Sequence, residues 1–281
     1  MPLPAGWPHR SPGVLASLMF VLALGFAGGS RAAPATECTA VGFCYCVNTD
    51  FHAAVEEKVA YFRAQIATER AKGRAIGYMS VPLSTAGGSY FGVNREVAQQ
   101  VKERVEARFG VNSAWLLNPT AKDADLPTLN GVRAGQGDYL WMWTRILEGA
   151  KGQGEDFDFV YFVGPSDFAA FFGLTGKGDM DRIAGYFDER LQKDADLKRA
   201  VDRGTVSAAA FRNYYALRAA TSYSVGSHDE WNVIRAVNNR RREDAKLGLT
   251  QQLPLLFDGR AVSSAEAEQP VAAGNVGACK N

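Results

Sequence analysis

Nine residues in the middle of the chain, Phe157-Asp-Phe-Val-Tyr-Phe-Val-Gly-Pro165, restrict the fold more than any other stretch. A strand with one face in water alternates apolar and polar side chains. This run is apolar at nearly every position, as a strand covered on both faces must be. Two shorter runs, Ala75–Leu83 and Ser113–Pro119, have the same character and also meet a proline near their ends. Helical periodicity fills the gaps. Phe51, Val55, Val59, Phe62 and Ile66 mark a helix over Asp50–Lys72, and Val97, Val101, Val105 and Phe109 mark another from Asn94 to Gly110. A third, Asp138–Leu147, has an aromatic buried face. Helices between consecutive strands predict a parallel sheet with right-handed crossovers.

The expected class is therefore α/β: a three-layer sandwich around a mainly parallel sheet, flavodoxin- or Rossmann-like. A helical insertion at 168–221 follows the third strand. Leu253–Phe257 is predicted as a last strand, placed at the sheet edge because Pro254 has no N–H to give to a neighbour. Trp141, Trp143, Phe171 and Phe172 are expected in the core.

The two ends define the remaining segments. Arg10 precedes the apolar run Val14–Ala27, and small residues follow, so residues 1–32 are expected to be a signal peptide cleaved after Ala32 or Ala33. An uncleaved N-terminal anchor is the alternative. Residues 33–74 form a cysteine-containing segment with its helix, 75–261 the α/β domain, and 262–281 an irregular tail held by Cys279. After cleavage no stretch is apolar for long enough to cross a membrane. Export to the periplasm or beyond makes the four cysteines, Cys38, Cys44, Cys46 and Cys279, candidates for two disulfides with three possible pairings. At least one pairing would tie the chain's two ends together.

Charge argues against a nucleic-acid partner. The leader holds two of the 31 Lys+Arg and none of the 30 Asp+Glu, which leaves the remainder close to neutral. A small molecule is the expected partner, whether substrate or ligand, and the oligomeric state stays open. No cofactor is called for. There is no Gly-x-Ser-x-Gly elbow, and the runs Gly149–Gly154 and Gly173–Gly178 lack the spacing and context of a phosphate loop. With only His52 and His228 beyond the leader, no metal site is expected. The Asp179–Asp181 pair is expected to be a solvated helix start.

One stretch concentrates the remaining chemistry. Ser222–Arg235 brings Ser227, His228, Asp229, Glu230, Asn232 and Arg235 to the start of a helix, with Gly226 turning and Ser227 or Asp229 capping. Trp231, Ile234 and Val237 give that helix one apolar face. In a parallel sheet, ligands bind at the carboxyl ends of the strands. Glu230 and Asp167, which lies just past the third strand, are therefore the carboxylates to pair, as glycosidic cleavage requires. Arg235, one turn from Glu230, is expected to keep a carboxylate ionised.

The order of motifs resembles the nucleoside 2-deoxyribosyltransferase-like superfamily. Tyr78-Met-Ser-Val-Pro82, Asn94, Leu117-Asn-Pro119, Asp167 and Ser224-Val-Gly-Ser-His-Asp-Glu230 occur in that family's order across about residues 75–257. The helical stretch 168–221 stands where the family has a short link. The resemblance implies transfer or hydrolysis at an N-glycosidic bond. Glu230 would be the nucleophile, Asp167 the acid facing the nucleobase, and Tyr78 the tyrosine beside the nucleophile. Asn94 would line the sugar pocket, with Ser84, Ser166, His228, Asn232 and Arg235 as further substrate-binding candidates. The alternative is a non-catalytic periplasmic binding or envelope protein that keeps the fold.

Overall fold

The apolar run chosen above forms the middle of the sheet. A computed structural model describes residues 33–83, 86–219, 224–246, 251–272, 274 and 277–279. The proposed leader and its cleavage site at Ala32 fall outside them, apart from Ala33. In chain order, the hairpin β1 (Pro34–Cys38) and β2 (Cys44–Asn48) leads into helix α1 (His52–Ala71) and strand β3 (Ala75–Ser80). Helix α2 (Phe91–Phe109), β4 (Ala114–Leu117), α3 (Gln136–Glu148) and β5 (Phe159–Phe162) follow. Four helices come next: α4 (Pro165–Phe172), α5 (Asp179–Lys193), α6 (Ala195–Asp202) and α7 (Ala208–Asn213), the last running into a π-helical turn, Tyr214–Arg218. The long helix α8 (Val225–Ala245), strands β6 (Leu255–Phe257) and β7 (Arg260–Ala261), and the short α9 (Ser264–Ala267) complete the described elements.

The sheet runs β4-β3-β5-β6-β7, parallel except for β7. Its side chains divide by parity. Ile76, Tyr78, Val160 and Phe162 point to one face, where α1, α3 and α8 supply Phe62, Trp143 and Ile234. Met79, Phe159, Tyr161 and Val163 point to the other, where α2 and α4–α7 supply Val97, Phe168 and Phe187. Helices thus cover both faces, an arrangement compatible with a three-layer α/β sandwich. Burying two such clusters explains why β5 can be apolar throughout. Trp141, Trp143 and Phe172 are buried, and Phe171 packs partly buried against the second cluster.

Three expectations need correction. The strands are shorter than the apolar runs: Pro165 does not end a strand but starts α4, where a missing N–H is harmless. β6 is not the edge. Pro254 precedes it and offers only its carbonyl, which accepts from the Val160 N–H at 3.0 Å, and the two-residue β7 takes the edge instead. The cysteine segment is a paired hairpin, not merely an approach to α1. Its turn is clipped by Cys38–Cys44, while Cys46–Cys279 joins the second strand to the C-terminal tail, the end-to-end tie anticipated above. Both bridges suit an oxidising compartment. Among the described residues, no helix is long and apolar enough to cross a membrane.

The tail is held by more than its cysteine. Along α8, Trp231 Nε1 donates to the Gln269 carbonyl at 3.1 Å. Asn232 both donates to the Val271 carbonyl (3.0 Å) and accepts from the Val271 N–H (3.3 Å). Asp229 Oδ1 accepts from the Gly274 N–H at 2.7 Å. The first turns of α8 therefore serve as a docking rail for Gln269, Val271 and Gly274.

A candidate active site at the carboxyl end of the central strands

Strand order reverses at β3: the chain leaves β3 for β4 on one side and returns to β5 on the other. Such a switch point opens a crevice at the carboxyl ends of the two strands it separates. Two side chains in the last half of β3, Tyr78 and Ser80, lie on the same face near that end, because residues two apart on a strand share a face. α8 supplies the third. Its N-cap is Ser224, whose Oγ accepts from the Ser227 N–H at 3.4 Å, so the helix begins earlier than the proposed caps Ser227 or Asp229. Glu230 then falls in the second turn and faces β3.

Both carboxylate oxygens of Glu230 are engaged. The Tyr78 hydroxyl donates to Oε1 in a short hydrogen bond, and the Ser80 hydroxyl donates to Oε2 at 2.5 Å. Tyr78 is fully buried, its ring 5.8 Å from Phe157 and 6.1 Å from Trp143, which fixes where the phenol points. Glu230 itself remains partly exposed. Burial is the largest influence on its acidity; the two hydroxyls pull the other way, and the like charge of Asp229 adds to the rise, leaving the Glu230 carboxyl pushed up to about 7. Arg235 does not supply the counter-charge expected of it. Its Nη1 reaches the Glu268 carbonyl at 3.5 Å, on the tail, and among the described residues no cation pairs with Glu230.

Asp167 does not join Glu230. Its oxygens accept from the Gly164 N–H at 2.9 Å and from the Tyr161 hydroxyl at 3.0 and 3.2 Å, and it forms an ion pair with Arg104. Tyr161 aligns with Met79, not with Tyr78, so its side chain and Asp167 lie on the opposite face of the sheet. Asp167 closes the first turn of α4 by accepting from the N–H of the N-cap residue, Gly164. Burial pushes its carboxyl up, and Gly164, Arg104 and Tyr161 pull it back.

The other candidates disperse as well. Asn94 sits in the layer of α2, its Oδ1 accepting from Tyr215 Oη at 2.7 Å, with Nδ2 buried and unpartnered. At the α4 N-terminus, the Ser166 N–H donates to Asp258 Oδ1 at 2.8 Å, so a carboxylate of this chain already occupies that anion-favouring spot. Asn232 and Arg235 hold the tail. His228 borders a cavity beside α8. Ser84 lies outside the described residues, as do Ser222 and Tyr223 at the start of the stretch that drew attention in the sequence. Asp179 accepts from the Thr175 and Gly176 N–H groups, stabilising a helix start as expected. Among the described residues, no three of His, Cys, Asp and Glu gather to hold a metal ion.

The sequence reading missed Ser80, although its spacing from Tyr78 is the signal that puts both on one strand face. What the trio can do is specific: two neutral hydroxyl donors orient a desolvated carboxylate whose charge no cation among the described residues offsets. Such a group retains high basicity and nucleophilicity when ionised. No protein-family model, curated protein or solved structure matches this chain.

Proposed function

We propose that this is an exported enzyme acting on the N-glycosidic bond of a nucleoside-like substrate, with Glu230 as nucleophile. The observation that carries the reading is the Tyr78–Glu230–Ser80 arrangement at the strand-order reversal. A flavodoxin-like three-layer fold, the periplasm or exterior as location, and kinship with the nucleoside 2-deoxyribosyltransferase-like superfamily all belong to the same proposal. The disulfides and the β4-β3-β5-β6 order support it.

In this reading Glu230 Oε attacks the anomeric carbon as the C–N bond breaks. The pair of electrons in that bond leaves with the base, and an ester joins the sugar to Glu230. Water or an acceptor nucleobase then attacks the same carbon and loses a proton, which balances the proton taken up by the departed base, and the carboxylate is released to restore the enzyme. The Tyr78 and Ser80 hydroxyls hold the carboxylate in one orientation before attack, which lowers the entropic part of the barrier. With Asp167 on the other face, the trio contains one carboxylate. An O-glycosidase needs a second carboxyl group to protonate a poor alkoxide leaving group. A nucleobase spreads the departing charge over its ring, so a single carboxylate suits N-glycosidic cleavage better than O-glycosidic cleavage.

A second reading, a non-catalytic periplasmic binding or envelope protein, draws on the tail's use of Asn232 and Arg235, two groups expected to bind substrate. The two readings separate in one assay. The purified protein is incubated with a panel of ribo- and deoxyribonucleosides, and free base is measured by chromatography alongside Glu230→Ala. The enzyme reading expects base release by the wild type and loss of at least about 1,000-fold in the variant, comparable with removal of a nucleophile that acts in the transition state. Absence of free base and of any glycosylated Glu230 peptide by mass spectrometry rejects the enzyme reading for that panel.

A further inference from the structure

On the neighbouring side of the same helix, α8 borders a second concavity that the Glu230 chemistry does not use. It measures about 210 Å³ and is walled by Ser227, His228, Trp231, Phe257, Val262 and Val271, with Arg260 and Glu266 at its polar side. Those two charges lie 3.7 Å apart and answer each other, so neither is left over to select a charged occupant, and the apolar walls suit a neutral one.

Two observations distinguish it from a packing gap. Ser227 is only 1% exposed, and among the described residues its Oγ has no hydrogen-bond partner. A buried hydroxyl left without a partner costs roughly 1–3 kcal/mol, so native structures usually provide one. The wall beside it is aromatic. Trp231 already gives its Nε1–H to Gln269, which leaves the indole ring rather than its polar edge for further contact. Size sets the scale of the occupant: a cavity of about 150 Å³ in another protein holds benzene.

We propose that this cavity binds a small neutral aromatic molecule bearing one hydroxyl or ring N–H, with the ring against Trp231 and Phe257 and the polar group on Ser227 Oγ. The site is independent of the function proposed for Glu230. It does depend on the tail, because Val271 is a wall residue that Asn232 holds through its backbone.

The test is calorimetric titration of the purified, disulfide-bonded protein with phenol, indole and toluene. The indole N–H resonance of Trp231 is followed by NMR to locate the binding. The proposal expects one-to-one binding of phenol that shifts the Trp231 resonance. Ser227→Ala should weaken phenol about fivefold, the worth of one net hydrogen bond, while leaving toluene unchanged. Val271→Trp should abolish both by filling the space; if that variant fails to fold, judged by circular dichroism, Val262→Phe fills the same cavity from another wall. No heat and no Trp231 shift at millimolar phenol or indole overturns the proposal. So does binding that neither Ser227→Ala nor a folded filling variant changes.

Discussion

Asp167 and Glu230 both belong to the carboxyl-terminal side of the sheet, and burial pushes the pKa of each up, yet the fold provides for them in opposite ways. Asp167 receives a backbone N–H, a phenol and a guanidinium, and its position in the first turn of α4 adds a favourable helix dipole. Glu230 receives two hydroxyls and a like charge from Asp229, and it reaches about 7. The first carboxylate is fully used by the structure that surrounds it. The second is left with basicity to spare and an exposed edge. That contrast is why Glu230, and not Asp167, is the proposed reacting group: a poised group is one the fold has desolvated without neutralising.

The largest effect expected from breaking this contrast is on Asp167. Asp167→Ala leaves Arg104, Tyr161 and the Gly164 N–H without their common acceptor. A loss of about 2–4 kcal/mol is expected in urea denaturation, at the lower end of buried-pair values because Arg104 is partly exposed. Base release per folded molecule should not change. A large drop in activity with unchanged stability would return Asp167 to the catalytic role that the sequence suggested for it.

Glu230→Gln should act in the other direction. A carboxyl whose folded value is raised contributes its full share to stability below the ordinary glutamate range, and that share is lost as pH rises through about 7. The neutral amide carries no such loss. The variant should therefore match the wild type near pH 4 and exceed it near pH 8 by on the order of 2 kcal/mol, while losing activity. Equal stability at both pH values would mean that Glu230 is as well solvated as a surface residue.

Tyr78→Phe sharpens the same point. Removing one donor to the carboxylate should move the Glu230 midpoint, and the rising limb of any pH–rate profile, upward by about one unit, since a hydrogen bond to a charged group is worth roughly 1.5–3 kcal/mol. Because a nucleophile works ionised, activity should rise with pH through that midpoint. A profile that does not move with Tyr78 would detach the phenol from the reacting group.

The smallest effect concerns the tail. Asn232→Ala removes both hydrogen bonds to the Val271 backbone and should cost about 1 kcal/mol. It should also speed proteolysis between Glu268 and Gly274 with Cys46–Cys279 intact. Unchanged cleavage would mean that the cysteine alone retains the segment.

Much of the sheet was legible because its physics is local. Continuous apolar content in Phe159–Val163 requires two covered faces, and the spacing of Val55, Val59 and Phe62 requires a helix. Glu230 was also within reach, since it lies near the start of the helix that returns to the sheet, whereas Tyr78 was named only through the order of motifs in the resemblance. Asp167 was misjudged because the face to which a strand-end residue belongs depends on register, and Tyr161 aligns with Met79 only in the folded sheet. The roles of Asn232 and Arg235 were hidden for a related reason. Their partners are backbone carbonyls 39 and 33 residues away in a tail without periodicity. Ser80 was visible in principle, two residues from Tyr78, and was passed over because a serine near a strand end carries no signal of its own.

The most direct measurement of the central claim is the titration of the Glu230 side-chain carboxyl by carbon-13 NMR, in the wild type and in Tyr78→Phe. A midpoint near 7 that rises in the variant is the result expected of a desolvated carboxylate held by hydroxyl groups. A midpoint in the ordinary glutamate range, unmoved by Tyr78→Phe, would contradict it.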